Sequence, residues 1–151
     1  MTDPGGKTRL RRINVLLVED DEGDIVLTER ALEGEAYVPT MHVVKDGVEA
    51  MWFLKQLGEY AEAPRPDLIL LDLNMPRKDG REVLAEIKRD PKLCSIPVVV
   101  LTTSDSDQDR QDMYNQHANC YVTKPVALRD FMGIVKEIRK FWTTVADLPP
   151  Q

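Results

Sequence analysis

Cysteine and histidine are scarce: 2 of each occur among 151 residues. Cys94 and Cys120 form no CxxC pair and have no His at metal-ligand spacing, which argues against a zinc site or a redox dithiol. Both flank strand-like apolar runs and are expected to act as small buried hydrophobes. His42 lies inside such a run and His117 near a helix end; without partners, neither is given a catalytic role. Positive charge is also short, with 20 Lys and Arg against 26 Asp and Glu and a net charge of −6, so attraction to nucleic acid is not expected. No run approaches the roughly 18 continuous apolar residues of a membrane span. The opening "MTDPGGKTRLRR" has basic residues but no apolar stretch of the signal-peptide kind. A cytoplasmic protein follows, with no nucleic-acid or membrane partner.

What remains is an ordinary globular composition, 42% hydrophobic and 30% charged. The length suits one domain, expected over residues 12–143 between a disordered N-terminal tail, 1–11, and a C-terminal tail, 144–151. Apolar runs at "INVLLV" (13–18), "TMHVV" (40–44), "DLILLD" (67–72), "IPVVVLTT" (96–103) and "NCYVTK" (119–124) read as strands. Helical spacing follows each of them: 24–32, with Gly34 as a stop, then 47–57, 81–90, roughly 106–117, and a last helix from Ala127 to about Thr144. A Pro-bearing loop, 58–66, precedes the third strand. Strict β–α alternation predicts a doubly wound parallel sheet with helices on both faces. The flavodoxin-like (βα)5 order 2-1-3-4-5 is the expected topology, and its ligands gather at the carboxyl ends of the strands.

Those ends carry the chemistry. The first strand ends in Glu19, Asp20 and Asp21, the third in Asp72, the fourth in Thr102 and Thr103, and the fifth in Lys124 before Pro125. Any one of the three clustered acids could instead cap the following helix. Carboxylates from adjacent strands cannot all stay ionised at close range unless a cation joins them. Oxygen-only ligands without His or Cys suit a hard ion, and so small a set suits Mg²⁺ better than Ca²⁺. A hydroxyl and an ammonium facing that cluster can donate to a tetrahedral anion. These are the parts that stabilise a phosphoryl group in transfer, with Asp72 as the candidate nucleophile.

The ordered motifs "LLVEDD", "LILLDLNMPRKDG", "VVVLTTS" and "CYVTKP" resemble the receiver domains of two-component response regulators. The resemblance implies that Asp72 is the phosphoacceptor. It places Glu19 and Asp20 in the acidic pair that holds Mg²⁺, together with Asp72 and the backbone carbonyl of Asn74, and gives Asp21 no role. Thr102 and Lys124 match the hydroxyl and lysine that contact the phosphoryl group, and Tyr121 the aromatic switch position. By the same resemblance the chain is a switch that assists its own phosphorylation and dephosphorylation rather than an enzyme with a separate substrate.

A finer likeness is to single-domain regulators of phytochrome-type histidine kinases, carried by "GEYAEAPRPDLILLDLNMPRKDGREVLAEIK", "ANCYVTKP" and "FWTTVADLPP". The implied partner is a sensor histidine kinase of that type. After the last helix too few residues remain for a separate output module of ~40 residues, so output is expected through protein contact. The last helix places Leu128, Phe131, Val135 and Ile138 at core spacing, and Ile134, Phe141 and Val145 on a second line with Trp142 nearby. That second apolar line suggests a homodimer through this helix and the side of strands four and five. Two other readings compete: a degenerate receiver that only docks, and a dehalogenase-type phosphatase. The latter needs an acid two residues past the nucleophile, where this chain has Asn74.

Overall fold

Strands form where β-branched and Leu residues cluster, and four of the five α-helices open on a short polar side chain. The computed structural model describes residues 13–33 and 39–150; the expected N-terminal tail, 1–11, and the Gly34 stop lie outside them. The strands are β1 (Asn14–Val18), β2 (Thr40–Val44), β3 (Leu68–Leu71), β4 (Val98–Thr102) and β5 (Cys120–Thr123). Between and after them lie α1 (Glu22–Leu32), α2 (Gly47–Lys55), α3 (Gly80–Arg89), α4 (Asp107–Asn115) and α5 (Leu128–Lys140). The strands pair in parallel in the order β2-β1-β3-β4-β5, as the alternation predicts.

Period-two alternation along the strands feeds two cores. Leu16, Val18, Ile69, Leu71, Val98 and Val100 point to the face covered by α2, α3 and α4. Val15, Leu17, Leu68, Leu70, Val99 and Leu101 point to the face covered by α1 and α5. Buried aliphatic side chains of this size contribute about 1.5–3 kcal/mol each. The strand ends therefore rest on a rigid base. Four of the helices begin on a side chain that accepts from an early backbone N–H: Asp21, Asp46, Asp79 and Ser106. No helix among the described residues is long and apolar enough to cross a membrane.

Several expectations need correction. Cys94 is exposed, because it sits in the turn after α3 rather than on β4, with Sγ 3.8 Å from the Pro91 carbonyl; Cys120, on the edge strand, is half-buried. Leu128 is 65% exposed, because it opens α5 before that helix reaches the sheet. The regular helix ends at Lys140 instead of reaching Thr144, and Phe141–Val145 form a wider π turn closed by an Ala146 N–H to Phe141 carbonyl bond of 2.7 Å. The hydroxyls of Thr143 and Thr144 donate back to the Arg139 and Lys140 carbonyls, a bonding pattern that loosens a helix. Beyond that turn Leu148 packs against the α1/α5 core.

Two glycines let backbone approach backbone beneath the strand ends. A Cβ on Gly47 would lie 1.8 Å from the Lys78 carbonyl oxygen, and one on Gly80 would lie 2.2 Å from the Asp72 carbonyl oxygen. By contrast, a Cβ on Gly133, in the middle of α5, would meet nothing within 4 Å. Gly47→Ala is expected to lower the free energy of unfolding by about 3 kcal/mol, an overpacking cost. Gly133→Ala should raise it by up to about 1 kcal/mol through helix propensity. Urea melts of the two variants check both signs.

Candidate functional site

Ladder hydrogen bonds continue past the ends of the strands and fix the backbone of Glu19, Asp72 and Lys124. Glu19 N–H donates to the Val44 carbonyl at 3.0 Å, Asp72 N–H to the Val18 carbonyl at 3.0 Å, and Lys124 N–H to the Thr102 carbonyl at 2.7 Å. Side chains from β1, β3 and β5 consequently converge over the sheet's carboxyl edge. Carboxylate oxygens of Glu19, Asp20 and Asp72 all lie within 4.8 Å of one another. Glu19 and Asp72 are buried, whereas Asp20 faces solvent.

Lys124 closes the crevice from β5. Its ammonium donates to Glu19 Oε1 at 2.5 Å, Asp24 Oδ2 at 2.8 Å and Asp72 Oδ2 at 3.4 Å. Burial opposes the charge on Lys124, but the hydrogen bonds to Asp24 and Glu19 and the charges of Asp72 and Glu19 together outweigh it and hold the lysine above its ordinary range. Burial also pushes Glu19 up to about 7; the Lys124 bond opposes the rise, and the Asp72 charge adds to it. The two directions agree, because one cation shared among several carboxylates stays charged while the most buried acid remains under-compensated.

Around this cluster the other expected residues take distinct places. Asn74 is exposed, and its N–H donates to Asp72 Oδ1 at 3.3 Å. Thr102 is wholly buried at the end of β4, its Oγ1 accepting from the Ser104 N–H at 3.4 Å, while Thr103 points outward. Asp21 caps α1, accepting from the Asp24 N–H at 2.9 Å. Tyr121 is half-buried; its hydroxyl donates to the Ser104 carbonyl at 2.8 Å, and the Arg110 guanidinium stands 5.8 Å from its ring centroid.

Sequence reasoning did not single out three further features. Asp24 is the first: as an acid in the opening turn of a helix, it reads as part of a capping pattern. Second is a bidentate pair between helices, with Arg81 Nε and Nη2 donating to Asp109 at 3.0 and 2.7 Å, while Ser104 Oγ donates to the same carboxylate at 2.6 Å. No local signal marks a pair 28 residues apart. The third is Arg77, in the loop after Asp72. Its φ of +66° is rare for a side-chain-bearing residue. It is held by Asp46 at 3.2 Å and by the Trp52 ring, 5.8 Å from the guanidinium.

The pattern of the response regulator receiver domain matches residues 15–136. The chain is 50% identical over 135 residues to response regulator Rcp1 of Synechocystis sp., covering 89% of this chain and 92% of that protein. In three dimensions it is similar to the phosphorylated cyanobacterial phytochrome response regulator RcpA, with a TM-score of 0.91 and 52% identity over 93% of this chain and 100% of RcpA. It is also similar to the Mn²⁺-bound form of Rcp1, with a TM-score of 0.89 and 48% identity over 91% of this chain and 99% of that one. A flavodoxin-like sheet with an acidic cluster and a lysine at its carboxyl edge thus coincides with a family match over most of the chain: it belongs to the response regulator receiver domains and is related to Rcp1.

Proposed function

We propose that Asp72 accepts a phosphoryl group from a phosphohistidine of a sensor histidine kinase of the phytochrome type, in the cytoplasm, and that residues 12–143 form the receiver unit. The observation that carries this reading is the position of Asp72: buried, fixed at its backbone, and flanked by two acids and an ammonium. A carboxylate oxygen of Asp72 attacks phosphorus, an acyl phosphate bond forms, and the phosphorus–nitrogen bond breaks with its electron pair passing to the imidazole. The receiver supplies position and charge rather than a separate catalytic group. RcpA is described as phosphorylated and as a phytochrome response regulator, which supports both the acceptor and the partner.

Glu19, Asp20 and Asp72 fit a hard divalent ion, since they offer oxygen alone and the acids outnumber the single ammonium; the Asn74 backbone carbonyl would be the remaining protein ligand. A manganese-bound Rcp1 supports a divalent site, and Mg²⁺ is the ion proposed here. Bound there, it supplies fixed positive charge that offsets the incoming phosphoryl oxygens. Lys124 donates to one of those oxygens and the Thr102 hydroxyl to another. Modification adds about −1.5 to −2 charges at the strand ends. The resulting shift of Thr102 and the β4–α4 loop changes what Tyr121 can bond.

Output runs through protein contact, in this reading a homodimer through α5 and the β4/β5 side. That side exposes Val126, Leu128, Phe141 and Tyr114, beside an apolar groove of about 620 Å³ lined by Val122, Ile134, Ile138 and Trp142. Exposed apolar area of this kind commonly marks a partner surface.

Three outcomes test the reading. Asp72→Asn should abolish Mg²⁺-dependent labelling by radiolabelled acetyl phosphate or by kinase; undiminished labelling removes Asp72 from its role. Glu19 must be ionised to bind metal but holds its proton up to about pH 7. Metal affinity therefore falls as pH drops, to about tenfold weaker at pH 6 than on the plateau above pH 8. Calorimetry in two buffers of different ionisation heat should show proton release near neutrality, and Glu19→Gln should erase that release. Sedimentation should show dimers whose population changes on phosphorylation; monomers at every concentration, modified or not, contradict the proposed output.

A further inference from the structure

An ammonium has three donors, and those of Lys124 meet Glu19, Asp24 and Asp72. Two of these partners, Glu19 and Asp72, belong to the acidic trio; Asp24 stands outside it, on the first turn of α1. Its placement is not that of a simple capping acid. In a capping box the third residue of the helix reaches back to the backbone N–H of the cap residue. Here that N–H, on Asp21, donates to Glu19 Oε2 at 3.1 Å instead. The Asp24 side chain is left for Lys124, while its backbone is held by Asp21 Oδ1 at 2.9 Å and by the Thr28 hydroxyl at 2.7 Å.

We propose that Asp24 is a positioning residue that holds the Lys124 ammonium on the α1 side of the crevice and competes with the phosphoryl group for it. The inference rests on the phosphoacceptor reading above and adds a residue to it. A phosphoryl oxygen that recruits Lys124 must take a donor already in use. Asp24 is the partner whose release leaves the acidic trio intact, and its side chain, 28% exposed, can be rehydrated. The strength of the Asp24 bond thus sets how readily Lys124 engages a modified Asp72, and with it the balance between the unmodified and phosphorylated packings.

The test uses beryllofluoride, a phosphoryl mimic, titrated by calorimetry into the full chain with saturating Mg²⁺. Asp24→Asn and Asp24→Ser should each bind it about fivefold more tightly than the native chain, equivalent to about 1 kcal/mol. Asp24→Glu should return the affinity toward native. Glu22→Gln removes an equal charge from the same helix turn but pairs with Lys45, not Lys124, and should change affinity less than about twofold, the limit expected for a screened surface charge. Magnesium affinity without beryllofluoride should rise less than beryllofluoride affinity. Equal gains in both affinities, or equal effects of the Asp24 and Glu22 variants, reduce Asp24 to a background charge and overturn the proposal. Unchanged or weaker beryllofluoride binding by the Asp24 variants overturns it as well. If the native chain binds no beryllofluoride, the phosphoacceptor reading falls and takes this one with it; normal native binding with no Asp24 effect removes only the latter.

Discussion

One lysine holds the crevice together. Lys124 lies 105 residues from Glu19 in sequence, yet its ammonium is the buried cation between β1, α1 and β3. Buried charges remain ionised only when they are paired and hydrogen-bonded, and here a single cation serves Glu19, Asp24 and Asp72 while Asp20 stands beside them. The arrangement leaves negative charge in surplus. Burial raises Glu19, with the Asp72 charge adding to the rise, while the surrounding carboxylates keep Lys124 charged against its own burial. The surplus also makes the site responsive, because any group that brings or removes charge there must redistribute the lysine's bonds.

Such a cluster is tolerable only on a stiff base. The sheet provides one: Val18 lies opposite both Val44 and Leu71, so β1, β2 and β3 end at the same level, while β4 passes Val100, the partner of Leu71, and runs on to Thr102. Gly47 and Gly80 then allow the β3–α3 segment to fold back tightly against the strand ends, where any side chain would collide with backbone. The division of labour among three consecutive acids follows from the same geometry. Glu19 points inward and is buried, Asp20 joins the trio from the solvent side, and Asp21 turns away to cap α1.

The strands were legible because short continuous apolar runs bounded by polar residues are local signals. The strand order and the meeting of Glu19, Asp20, Asp72 and Lys124 followed from topology rules applied to those strands. Legibility ended where a role depends on a partner distant in sequence. Asp24 carries the pattern of a helix-opening acid, and only the diversion of the Asp21 N–H to Glu19 frees it for another role. Arg81 and Asp109 sit on different helices, and nothing in either segment announces the other. Cys94 and Leu128 show the converse error, in which apolar character was read as burial although a turn and a helix start placed both at the surface. At Thr143 and Thr144 helical periodicity hid a change of backbone, because hydroxyls bonding back to carbonyls leave no trace in spacing.

The residues that connect the crevice to the surface converge on Ser104. Its N–H donates to Thr102, its hydroxyl to Asp109, and its carbonyl accepts from Tyr121. Asp109 is in turn gripped by both arms of the Arg81 fork, a geometry that tolerates little sliding. A displacement of Thr102 toward Asp72 would pull on Ser104 and so strain the Asp109 and Tyr121 bonds together. The first ties α4 to the β4–α4 loop, with Arg81 of α3 gripping the same carboxylate, and the second ties β5 to that loop. In the proposed switch α4 and β5 would respond together, because both bond to Ser104 and the Tyr121 N–H donates directly to the Tyr114 hydroxyl of α4 at 3.1 Å. In the same proposal Ser104 would carry a charge change at Asp72 to α4, where Tyr114 stands exposed.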